Sequence, residues 1–92
     1  MIYKILNNGF KVIKKNNKFG IMNNQNKMIT PIKYDNVGIF ESGYAHFNCK
    51  NYNGYIDEKG KEYTNFKDVV NIKIKIDLDK ISQIDNETGR NI

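Results

Sequence analysis

Residues Gly9–Lys33, shifted by 34 positions, fall without a gap on Gly43–Lys67. Gly9 meets Gly43, Asn17 meets Asn51, Gly20 meets Gly54, Lys27 meets Lys61, Thr30 meets Thr64 and Lys33 meets Lys67. Apolar character matches between these identities: Phe10 with Tyr44, Ile13 with Phe47, Ile21 with Tyr55, Met22 with Ile56, Ile32 with Phe66. A fixed period of this length marks a repeat architecture, in which a small unit stacks on its copy to bury a face that it cannot bury alone. The fold must therefore be one that can be built twice.

Ninety-two residues set a tight limit on that construction. They make one small domain whose buried surface barely exceeds its lost chain entropy. No apolar run approaches the roughly 18 residues of a membrane span, and the start Met1–Asn8 lacks the apolar core of a secretory signal. With a single cysteine, Cys49, no internal disulfide forms. A cytoplasmic location is the expectation. Asn, Ile and Lys number 15, 14 and 14, a bias whose simplest source is the A/T-rich codon usage of a low-G+C bacterium or its phage.

Charge is divided along the chain. Residues 1–34 carry seven lysines and no acid, whereas residues 35–92 carry eight basic and ten acidic groups. If the two copies are stacked in space, one end of the molecule attracts anions.

Short alternating runs separated by Asn/Gly clusters read as antiparallel β-hairpins. Strands are expected at Ile2–Leu6, Phe10–Lys15, Phe19–Met22 and Lys27–Thr30, then at Tyr44–Cys49, Gly54–Asp57 and Lys61–Thr64. Ile32–Ser42 reads as an irregular crossing. Asp57-Glu58-Lys59-Gly60 suits a turn with Asp57 bonding the following backbone and Gly60 left-handed; Asn23–Asn26 is its counterpart, with Asn in both roles. Beyond Asp68 the repeat stops. Val70–Leu78 alternates like a nine-residue capping strand, and Asp79–Asp85 could form one or two helical turns capped by Asp79. The tail Asn86–Ile92 is expected to fray. The fold class is all-β, a single domain with unit one at about 9–42, unit two at about 43–69 and a C-terminal cap at 70–92.

Lys18-Phe19-Gly20-Ile21-Met22-Asn23, Lys27–Val37 and Phe40-Glu41-Ser42-Gly43-Tyr44-Ala45 together resemble a bacterial WG repeat, and Asn53–Glu62 resembles a second copy. The resemblance spans about residues 9–69. It implies an array of β-hairpins that acts as an interaction module, with no catalytic residues of its own. The motif tryptophan is Phe19 in the first copy and Asn53 in the second. Phe19, Gly20, Gly54, Tyr55, Asp57 and Gly60 are the structural motif residues, with a neighbouring ring expected over each bare glycine. Two units are fewer than such arrays usually need. A cap, dimerisation or ordering on a partner would make up the difference.

The sequence offers little for catalysis. His46 and Cys49 sit three positions apart on one strand, about 10 Å along it and on opposite faces, which excludes a Cys–His dyad. Asp77, Asp79 and Asp85 lack a calcium-loop pattern. No enzyme, cofactor or metal is expected. Two binding readings follow. In the first, a protein partner docks on tips, aromatics and an open sheet edge, and the small size suits a phage- or mobile-element-type inhibitor of a host protein, such as a nucleic-acid-handling defence system. In the second, the lysine-rich half binds RNA or DNA electrostatically. Lys11, Lys14, Lys15, Lys18, Lys33 and Tyr52 are the candidate contacts for a partner or anion.

Overall fold

A computed structural model describes residues 1–88, with side chains described through Ile81. Among these residues, seven strands lie in two antiparallel sheets, followed by one helix. Sheet one has the order β1 (Ile2–Ile5), β2 (Lys11–Lys15), β3 (Lys18–Met22). Sheet two has the order β4 (Asn36–Glu41), β5 (Tyr44–Cys49), β6 (Tyr52–Asp57), β7 (Glu62–Tyr63). Helix α1 runs from Phe66 to Thr88. Among the described residues, no helix is long and apolar enough to cross a membrane.

The hairpin signals act as their chemistry dictates. Asn16 and Asn17 both take positive φ, 53° and 65°, in the two-residue link between β2 and β3. The two expected turns are chemical twins. Asn23 Oδ1 accepts from the Gln25 and Lys27 amides, each at 3.0 Å. Asp57 Oδ1 accepts from Lys59 and Lys61 at 2.8 and 3.0 Å. Asn26 at φ 63° and Gly60 at φ 89° close them in the left-handed region.

The core joins the two sheets. Leu6, Phe10, Val12 and Ile21 on the side of sheet one pack with Tyr34 of the crossing and with Val37, Phe40, Ala45, Phe47 and Ile56 of sheet two. The opposed faces are not the same face of the repeat. Shifted by 34, Val12 and Ile21 correspond to His46 and Tyr55, whereas Ala45, Phe47 and Ile56 correspond to Lys11, Ile13 and Met22. Strand alternation puts these two sets on opposite sides of each sheet. The units therefore stack front to back, as plates do.

Four segments depart from the sequence reading. Lys27–Thr30 pairs through a single bridge, Met22 with Met28, because Thr30 turns inward to accept the Ile21 amide at 2.9 Å. Asn36–Glu41 is a strand, not an irregular crossing. Its pairing steps from Val37–Phe47 to Phe40–Ala45, so an extra residue bulges out and spoils the period-two signal.

Val70–Leu78 is helix, not a capping strand, and Asp79 lies inside α1 instead of capping it. The cap is Asn65, whose Oδ1 accepts the Asp68 amide at 2.9 Å while its Nδ2 donates to the Asp68 carboxylate at 2.8 Å. Ile72 and Ile76, four apart and both buried, form the docking stripe. Alternating isoleucines satisfy both periods here, and the cap decides. Asn86–Thr88 continue the helix instead of fraying, and 89–92 lie outside the described residues.

α1 runs beside Glu41, Tyr44 and Tyr55, with grooves of about 230–300 Å³ along the seam. Lys80 reaches Glu41 at 3.2 Å, and Ser42 donates to Asp79. That side of unit two, equivalent to the Val12/Ile21 side of unit one, is where a third unit would sit. The helix takes its place.

The motif glycines serve close approach of backbone, not of rings. A Cβ on Gly54 would lie 2.2 Å from the Tyr63 carbonyl oxygen. On Gly20 it would lie 2.9 Å from the Pro31 oxygen and from Ile32. In both units the chain leaving the turn crosses directly over the glycine.

Candidate docking surface

The tips of the β2–β3 and β5–β6 hairpins share one end of the molecule, tied together by the crossing between the units. Phe19 donates to the Tyr34 carbonyl at 2.8 Å and accepts the Lys33 and Tyr34 amides at 3.1 and 3.0 Å. Asp35 donates to the Asn48 carbonyl at 2.8 Å. Side chains from both units thereby form a continuous surface.

Its first part is aromatic and basic. Tyr3, on β1, meets Phe19 edge to face at 5.0 Å, and the Lys14 ammonium lies 5.4 and 5.8 Å from the two ring centres. Tyr3 is 54% exposed, and all four residues of β1 face solvent. Among the described residues β1 pairs only with β2, which leaves its outer edge open there. Lys15 is exposed beside the Asn16–Asn17 turn. Lys11 stands at the far end of β2 and donates to Asn26 Oδ1 at 2.8 Å.

The second part is a closed polar network. Lys33 Nζ lies 2.9 Å from the Tyr52 hydroxyl and 3.0 Å from Glu62. The buried Tyr34 donates its hydroxyl to Glu62 at 2.5 Å. The Tyr52 hydroxyl bond holds the Lys33 ammonium well above the ordinary lysine range, with Glu62 adding to it. Burial raises the Tyr34 phenol, and its bond to Glu62 raises it further. Partial burial alone would raise the Glu62 carboxyl, but hydrogen bonds from Tyr34, Lys33 and Tyr52 outweigh it and hold Glu62 low. Lys18 pairs with Asp35 between the two parts.

The six candidate contacts thus divide. Lys14 stands over the ring pair and Lys15, next on the strand, points to the other face; neither has an acidic partner among the described residues, and Lys18 and Lys33 are neutralised by Asp35 and Glu62. Tyr52 belongs to the closed network, and Lys11 stands apart. Sequence reasoning reaches Tyr3 only as one of seven aromatics available for docking, and it missed Asp35 and Glu62; these carboxylates meet their lysines across 17 and 29 residues of chain, which no local pattern records.

The motif residues hold the second unit together. Asp57 receives the Lys59 and Lys61 amides and the Tyr63 hydroxyl at 2.8 Å, and these bonds overcome its partial burial to keep its carboxyl low. The same bond pushes the Tyr63 phenol up to about 12. Tyr55 meets the exposed His46 edge to face at 5.5 Å. Cys49 directs its sulfur to the Lys33 carbonyl at 3.5 Å. Among the described residues, no three His, Cys, Asp or Glu side chains gather as metal ligands.

No curated protein and no solved structure matches the chain. The family model of the WG containing repeat matches residues 19–52, one full 34-residue period from the Phe19-Gly20 pair to the start of β6. Through that stretch the chain is similar to the WG containing repeat.

Proposed function

We propose that this chain is a non-enzymatic module that binds an extended segment of a protein partner along β1. The observation that carries this reading is the open edge of sheet one, whose Ile2, Tyr3 and Ile5 side chains are more than half exposed. An unpaired edge offers a row of backbone donors and acceptors to an incoming strand, and alternate side chains supply selectivity. Lys14 above Tyr3 and Phe19 supplies a site for an acidic or aromatic residue of that strand. The inhibitor role is one form of this reading, in which the captured strand belongs to a host protein.

The test is a lysate pull-down with the wild-type chain and with Tyr3→Ala/Ile5→Lys, whose altered side chains are exposed and leave the core intact. The wild type retains one stoichiometric protein and the variant loses it. Equal retention by both would remove β1 from the interface.

A second reading, RNA or DNA binding, draws on the same ring pair. Lys14, beside two exposed or half-exposed aromatics, could contact a phosphate while bases stack. Such binding is strong at about 50 mM salt and lost near 0.5 M, because it rests on counterion release. Absence of binding at the lower salt would dismiss it.

A further inference from the structure

We infer that α1 is also a self-association element: two copies of the chain pair their helices antiparallel through a second apolar stripe that the sheets do not cover. Phe66, Val70, Ile74, Leu78 and Ile81 follow one another at steps of four, four, four and three. At 3.6 residues per turn they fall within about 120° of arc, centred about 160° round the helix from Ile72 and Ile76. Ile72 and Ile76 are buried on the body of the molecule. On the other side Phe66, Ile74, Leu78 and Ile81 are 83%, 50%, 57% and 53% exposed. A helix with one docked side normally turns charge to water on the other. This one turns isoleucine and leucine there as well, with Lys67 and Asp77 in the same arc.

Charge along the helix selects the occupant and its direction. Phe66–Lys75 carries Lys67, Lys73 and Lys75 against Asp68, net +2. Ile76–Thr88 carries Asp77, Asp79, Asp85 and Glu87 against Lys80, net −3. At the N-terminus Asp68 suits the helix macrodipole, but the last turn carries acids and no base, which opposes it. The chain thus keeps an arrangement that costs an isolated helix stability. A second copy running the other way offsets that cost, because each basic half then lies on an acidic half. A twofold axis near the level of Ile76 sets Leu78 against the partner's Ile74 and Ile81 against the partner's Val70. Lys73 then faces the partner's Asp77. Parallel pairing would oppose like charges at every level.

The stripe offers on the order of 400 Å² per copy, about half of the roughly 800 Å² per partner of stable complexes. The dimer is accordingly weak, with a dissociation constant on the order of 100 µM, and it forms where the protein is locally concentrated.

Sedimentation equilibrium of the full chain from micromolar to millimolar concentration tests this. A monomer–dimer equilibrium is expected. Ile74→Asp/Leu78→Asp should abolish it while leaving the far-ultraviolet circular dichroism of the monomer unchanged. Lys73→Asp should weaken it about tenfold, and the swapped variant Lys73→Asp/Asp77→Lys should restore it, as antiparallel pairing requires. A wild type monomeric at millimolar concentration, a dimer indifferent to Ile74→Asp/Leu78→Asp, a swap that fails to rescue, or growth into open-ended oligomers would each overturn the proposal.

Discussion

Gly60 shows how much a single atom can decide in this chain. Its φ of 89° suits a residue without a side chain, and a Cβ there would lie 2.1 Å from the Ile29 carbonyl oxygen. The turn of unit two is thus pressed against unit one, so the residue answers to local conformation and to inter-unit packing together. Strain of about 2 kcal/mol or more is expected for Gly60→Val. In a domain of this size that lowers the thermal midpoint by about 10 °C or more. Lys59→Val, one position earlier and exposed, should change it by less than about 3 °C. Equal midpoints would refute the turn assignment. Asn26 takes the same backbone role in unit one at φ 63°, and Asn is the non-glycine residue that best tolerates it.

At the level of elements, the sequence revealed whatever was local. Asn/Gly turns and alternating runs located β1, β2, β3, β5 and β6, because a tight hairpin is set by residues a few positions apart. β4 was hidden by its bulge: Val37 and Phe40 both face the core although they stand three positions apart. α1 was hidden by isoleucines at 72, 74 and 76, which suit a strand as well as a helix with two apolar sides. The Asn65–Asp68 capping box was the available signal. Asn65→Ala should therefore destabilise the helix by about 1 kcal/mol, read as lost ellipticity at 222 nm on mild heating. Ile76→Asp would put a charge on the docking stripe. Amide exchange should then accelerate along α1 while the β2–β3 and β5–β6 ladders keep their protection; loss of protection everywhere would mean that the sheets depend on the helix. The candidate surface was half legible. Lys14 and Tyr52 were marked by type and position, but their surroundings arise from the fold.

Over the whole molecule, the network of Lys33, Tyr34, Tyr52 and Glu62 acts as a clasp between the crossing and the second sheet. Glu62 and Asp57 both titrate below their ordinary values of 4.5 and 3.8. Between folded and unfolded values the unfolded chain binds more protons, so stability rises with pH across that window. The contribution is complete above about pH 5 and is lost as pH falls through the lowered values. Glu62→Gln should flatten the acid limb of a stability–pH curve, and an unchanged slope would detach the clasp from acid sensitivity. The front-to-back stacking of the units carries a broader consequence. Each unit shows the next comer the surface that it was itself shown, so length is not fixed by any one joint. Splicing an additional 34-residue module between Thr64 and Asn65 should lengthen the protein without redesign, α1 simply closing a taller column.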